Sequence, residues 1–136
     1  MSQYLSSIIS NETEKNAILC IIAAKLRGVH TRYETTILYG TGSNGKTSFQ
    51  NLVRITYPGV FTFSAEDVDQ INMTCDFNLT NVDPFYLLDP TTLSKCLIIN
   101  FTNVFNNFGY DVTDHVEEFR DLINNLDHNL VLDMCA

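Results

Sequence analysis

Gly40-Thr41-Gly42-Ser43-Asn44-Gly45-Lys46-Thr47 is the stretch on which the reading of this chain turns. Before it lies Thr35-Thr36-Ile37-Leu38-Tyr39, β-branched and apolar, which predicts a strand. After it, from Lys46 to Thr56, the residues Phe49, Leu52, Val53 and Thr56 fall on one face of a helix that Pro58-Gly59 would end. The octapeptide satisfies G-x-x-x-x-G-K-[ST] without a mismatch, and strand, turn and helix follow one another as that pattern requires. Glycines at 40, 42 and 45 open backbone dihedrals closed to other residues, so successive N–H groups can converge on a phosphate, assisted by the positive end of the helix dipole. Gly40 to Ser48 are therefore the candidate binding residues for ATP. Lys46 would reach the β- and γ-phosphates and the Thr47 hydroxyl would ligate Mg²⁺.

Such a loop needs a second group, an acid at the end of a neighbouring apolar strand that holds Mg²⁺ and helps orient the attacking water. Phe85-Tyr86-Leu87-Leu88 has the length of a buried strand and ends in Asp89, which makes Asp89 the first candidate for the catalytic and metal-site acid. Its competing reading is a turn aspartate before Pro90. Cys96-Leu97-Ile98-Ile99 is a second strand candidate that ends in Asn100 with no acid. Leu130-Val131-Leu132 is a third, followed by Asp133.

Around this centre the pattern alternates helix and strand. Asn11 with Glu14 three residues on has the form of a capping box, and Ile18, Leu19, Ile22, Ala23 and Leu26 recur at helical spacing up to Gly28. Residues 60–63 alternate and suggest a strand, with Ser64 capping a short acidic helix that carries Glu66, Asp67 and Asp69. Residues 74–82 are irregular and rich in Asn and Thr. Thr113 or Asp114 could cap a helix running to Asn125, with Val116, Phe119, Leu122, Ile123 and Leu126 inward. Alternating strands and helices imply a parallel α/β sheet. With 136 residues, 45% of them hydrophobic, and no linker or repeat, the expectation is one domain over 1–136, with a helical lead-in at 1–34 and a nucleotide-binding core at 35–136.

Charge is unevenly spread. Residues 1–54 hold six cations against three acids and residues 55–136 hold two cations against thirteen, within a total of −8. That suggests an N-terminal half facing an anion, with Lys25, Arg27 and Arg32 as candidate contacts to DNA phosphates. The longest apolar run, Ala17 to Ala24, is far short of the roughly 20 residues needed to cross a bilayer, and no basic, apolar leader follows Met1, so no membrane partner and an intracellular, reducing compartment are expected. Cys20, Cys75, Cys96 and Cys135 lack C-x-x-C spacing and read as buried thiols. His30, His115 and His128 have no partner at ligand spacing.

The run from Ile37 to Phe49, followed by Leu52-Val53 and Gly59, resembles the start of the ATPase domain of superfamily 3 helicases, especially viral and phage primase-helicases, whose loop reads G-x-G-x-N-G-K-[ST]. The resemblance is dense from about Ile18 to Gly59 and thin beyond. It implies an AAA+-like P-loop NTPase, a three-layer sandwich with a mainly parallel sheet. It also implies ATP hydrolysis with Mg²⁺, a homo-oligomeric ring, and single-stranded DNA engaged through that larger assembly in DNA replication. By the same resemblance Asn44 shapes the loop, Asp89 is the second-motif acid, and Asn100 or Asn103 is the sensor asparagine. The chain departs from the family in placing Pro90 directly after Asp89 and in having Arg120 as its one arginine after Arg54. Its length matches the front of such a domain, so a partner chain completing the domain, or a truncated module that binds nucleotide without hydrolysing it, is the alternative. Thr41 to Thr47 also resembles the T-G-T-N-G-K-T loop of ATP-dependent amino-acid-adding ligases, which are much longer.

Overall fold

The computed structural model describes residues 3–42, 45–102 and 111–136. Its chain forms α1 (Gln3–Ile8), α2 (Glu12–Arg27), β1 (Thr35–Tyr39), α3 (Lys46–Thr56), β2 (Phe77–Thr80), α4 (Pro84–Leu87), α5 (Pro90–Leu93), β3 (Cys96–Asn100), a 3₁₀ turn at Thr113–His115, α6 (Val116–Asn124) and α7 (His128–Cys135). Among the described residues three strands make one all-parallel sheet in the order β2-β1-β3, so the protein is a mixed α/β fold.

The register divides the sheet into two unlike faces. Thr36 lies opposite Phe77 and Leu97, and Leu38 opposite Leu79 and Ile99. All but Thr36 join a buried cluster with Ile18, Leu19 and Ile22 of α2, Phe49, Leu52 and Val53 of α3, Phe119 and Ile123 of α6, and Val131 and Cys135 of α7. The other face carries polar residues. Asn78 is fully buried and donates to Thr35 Oγ1 and to the Asn72 carbonyl, both at 2.9 Å, while buried Thr80 donates to the Val68 carbonyl at 2.6 Å. Thr35 and loop segment 64–76, not a long helix, therefore supply the partners that these buried polar groups require.

Helix α2 forms as its sequence predicts. Asn11 Oδ1 accepts from Glu14 N at 3.0 Å, and Gly28 at φ 71° closes a Schellman end in which Val29 N donates to the Ala24 carbonyl at 2.8 Å. Glu14 does not complete a reciprocal box; its carboxylate turns to β3 and accepts from Asn100 N at 2.5 Å and Asn100 Nδ2 at 3.2 Å.

Six expectations are corrected. Residues 60–63 form no strand, only an isolated bridge at Phe63, and no acidic helix follows Ser64. The irregular stretch contains β2, hidden because half of its residues are Asn and Thr. Phe85 to Leu88 is not a strand: Asp83-Pro84 and Asp89-Pro90 each start a short helix, the aspartate capping and the proline at the first helical position. Thr113 and Asp114 do not cap α6; the side chain of Asp111 instead accepts from Thr113 N at 2.9 Å. Leu130 to Leu132 is helical, because Asp127 caps α7 and Val131 and Cys135, one turn apart, pack on α2 while Leu130 and Leu132 face out.

Candidate functional site

Strand β1 is the middle of the sheet, and its ladder continues past Tyr39 on both sides: Gly40 N donates to the Thr80 carbonyl at 3.2 Å and Phe101 N to the Tyr39 carbonyl at 2.8 Å. The glycine-rich turn thus leaves from a fixed edge. Gly42 has φ 83° and Gly45 φ 93°, the left-handed region that favours glycine. Ser43 and Asn44, two of the expected binding residues, lie outside the described residues, as does Asn103.

Helix α3 begins at once, its first bond running from Phe49 N to the Gly45 carbonyl at 2.9 Å, so the N–H groups of its first turn point back along the axis toward the loop. Helix α1 props this turn from below. Ile8 packs under Gly45, and Tyr4, its ring stacked on His115 at 4.4 Å, hydrogen-bonds Ser48 Oγ. These supports were not read from the sequence, although Tyr4, Leu5, Ile8 and Ile9 recur at helical spacing and are all buried.

Lys46 is buried and folds back over the loop. Its Nζ donates to the Gly40 carbonyl at 2.6 Å, the Gly42 carbonyl at 3.3 Å and Asn81 Oδ1 at 3.0 Å. Burial pushes its pKa down, and the charges of Asp67 and Glu66 partly oppose that. Thr47 is exposed, and its Oγ1 donates to Glu66 Oε1 at 3.4 Å. The structure therefore brings together Gly40, Gly42, Gly45, Lys46, Thr47 and Ser48. It adds Asn81, at the end of β2, and the pair Glu66 and Asp67. The pair stood in the sequence as part of an acidic run after α3, but nothing there signalled that it would reach Thr47.

Asp89 lies elsewhere. It is exposed and caps α5, accepting from Thr92 N at 2.7 Å, and the hydrogen bonds from Thr92 hold its carboxyl below the usual range. The Thr92 carbonyl in turn contacts Cys96 Sγ at 3.4 Å, and Cys96 pairs with Thr35, the first residue of β1. Asp89 is thus attached to the edge where β1 starts. The loop leaves the edge where β1 ends, about 13 Å away along a five-residue strand. The premise that Asp89 ends a strand beside the loop is corrected; it is the turn aspartate of the competing reading. Asp133 sits on α7. Asn100 does end β3, paired with Tyr39 at the loop edge, with its N–H and side chain engaged by Glu14.

The clustered cations have work inside the protein. Lys25 pairs with Asp76 at 2.8 Å, the Arg27 guanidinium donates to the carbonyls of Ile123 at 3.0 Å and Leu126 at 3.1 Å, and Arg32 lies over the Tyr33 ring at 4.6 Å. The four cysteines are free thiols, with Cys20, Cys96 and Cys135 buried and Cys75 partly so. Among the described residues no group of three or more His, Cys, Asp or Glu could by itself hold a metal ion, and no described helix is long and apolar enough to cross a membrane.

No protein-family model matches the chain, and no curated protein or solved structure matches it.

Proposed function

We propose that residues Gly40 to Ser48 bind the phosphates of ATP with Mg²⁺, and that the chain is the nucleotide-binding part of a P-loop ATPase of the superfamily 3 helicase type. The observation that carries this reading is the placement of Lys46. It sits at the head of an eleven-residue helix that follows the central strand of a parallel sheet, its ammonium held on neutral oxygens across the loop. An incoming phosphate offers stronger acceptors than carbonyl and amide oxygens, so the ammonium can exchange them for anionic ones. The crossovers lead from β1 to β2 on one side and then to β3 on the other. The end of β1 is thus the place in an open parallel sheet where ligands enter. Mg²⁺, when bound, would neutralise developing charge on the phosphates; Thr47 is the loop's own oxygen for it.

A second reading, a module that binds nucleotide without turning it over, draws on a different observation. Neither neighbour of β1 runs into an acid: β2 ends Thr80-Asn81 and β3 ends Asn100-Phe101. Single-stranded DNA and a ring, or a chain completing the domain, belong to the first reading as proposals. Replacing Lys25, Arg27 and Arg32 together by Ala should weaken DNA binding if those cations meet phosphate, and leave it unchanged if they serve only the contacts described above.

The direct test is fluorescent ATP-analogue binding together with phosphate release by wild type, Lys46→Ala and Asp89→Ala. Binding and turnover that both need Lys46 support the ATPase. Binding that needs Lys46 with no turnover supports the module. Binding indifferent to Lys46, or absent from wild type, overturns both.

A further inference from the structure

We infer that Glu66, not Asp89, is the protein carboxylate that serves the metal–nucleotide complex at this loop, an inference that rests on the phosphate-loop reading above. Glu66 Oε1 faces the Thr47 hydroxyl at 3.4 Å, on the exposed side of the first turn of α3. The two oxygens are of the hard type that Mg²⁺ takes, and neighbouring ligands of an octahedral Mg²⁺ with bonds of about 2.05 Å lie about 2.9 Å apart, within a small side-chain adjustment of the separation seen.

Its position is built rather than incidental. The segment that carries Glu66 is pinned to β2 on both sides of it. Ser64 N donates to the Phe77 carbonyl at 2.9 Å and Ser64 Oγ accepts from Leu79 N at 3.0 Å; beyond it, Val68 N donates to the Leu79 carbonyl at 2.9 Å and the Val68 carbonyl accepts from Thr80 Oγ1 at 2.6 Å. Residues 65–67 bulge between these anchors toward α3. The next residue, Asp67, adopts φ 55° there and adds a second negative charge near Lys46. A carboxylate held this way reaches the Thr47 hydroxyl from beside β2, a route that needs no acid at the end of a strand. By contrast Asp89 caps α5 at the far edge of the sheet.

The test titrates a fluorescent ATP analogue in the presence of Mg²⁺ and in the presence of EDTA, for wild type, Glu66→Gln, Glu66→Asp, Asp89→Asn and Lys46→Ala, with far-UV circular dichroism melts of each. Wild type should bind at least about tenfold tighter with Mg²⁺. Glu66→Gln should lose most of that ratio while keeping its metal-free affinity. Glu66→Asp should recover part of it, and Asp89→Asn should keep all of it. Because Glu66 is exposed, its variants should melt with wild type. Retention of the full ratio by Glu66→Gln, or a wild type without any Mg²⁺ dependence, overturns the inference while Lys46-dependent binding leaves the loop reading standing. Binding that Lys46→Ala does not weaken removes the loop reading and the inference with it.

Discussion

A Cβ on Gly45 would stand 2.7 Å from Ile8 Cγ2 and 3.0 Å from Ile8 Cβ, in a backbone conformation of φ 93°. Position 45 is therefore closed to any side chain twice over, by sterics and by dihedral. Gly45→Ala should cost about 3 kcal/mol, left-handed strain and overpacking together, in a denaturant titration. Gly42 shares the positive φ, but a Cβ there meets nothing within 4 Å, so Gly42→Ala should cost only the strain, about 1 kcal/mol. Gly45→Ala combined with Ile8→Ala should cost less than the sum of the two, since the second change removes Cγ2, the nearer of the two Ile8 atoms that the first collides with.

The Lys46 ammonium is held in a desolvated place, which works against folding. Lys46→Met should leave the melting temperature level or raise it while abolishing nucleotide binding, which calorimetry on the same samples would separate.

Alkaline stability should be set by buried acids. Burial raises the thiol pKa of Cys20, Cys96 and Cys135 above 9.0 and the Tyr57 phenol above 10.0. The unfolded chain loses those protons first, so the stability these groups give is complete below pH 9 and falls as pH climbs through the folded-state values. Lys46 acts in the opposite sense: its folded pKa lies below 10.5, so its charged form opposes folding until pH rises through that lowered value. With four groups against one, urea midpoints should fall above pH 9. The fall should be shallower in Cys96→Ala and steeper in Lys46→Met.

Arg27 closes the C-terminal end of α6 by donating to the carbonyls of Ile123 and Leu126. Arg27→Ala should destabilise by about 1–2 kcal/mol, and Arg27→Lys should recover little, since one ammonium cannot span carbonyls that a planar fork reaches together. Thermal melts of the two variants would show it.

Glu14 spans from α2 to Asn100 on β3. Glu14→Ala strands a partly buried N–H and amide and should cost about 1–3 kcal/mol by urea titration. Glu14→Gln, which keeps one acceptor oxygen, should cost less.

Where periodicity and end signals agreed, the sequence was sufficient: α2 between Asn11 and Gly28, β1, α3 and β3 all stand where their patterns put them. It misled where composition spoke for a class of element. Phe85, Tyr86, Leu87 and Leu88 look like a strand because they are apolar, yet two Asp-Pro steps fix helical turns around them and leave Phe85 and Tyr86 in solvent. Asn78 and Thr80 look like loop because they are polar, yet their hydrogen bonds are met by Thr35 of β1 and by the Asn72 and Val68 carbonyls of segment 64–76. Within the site, the loop was legible because its residues are neighbours in the chain. Ile8, Glu66 and Asn81 were not, because what they contribute is nearness, and nearness follows from how α1, segment 64–76 and β2 dock.

The prop beneath the loop carries a consequence for how the site comes into being. Tyr4 meets Ser48 and Ile8 meets Gly45 across roughly forty residues of intervening chain. A peptide spanning only strand, loop and α3 would hold every residue of the G-x-x-x-x-G-K-T pattern and still lack the floor that shapes it. The conformation around Gly45 and Ser48 is thus a property of the assembled tertiary structure, completed when the first helix docks. Removing α1 should leave the motif intact in sequence and collapsed in space.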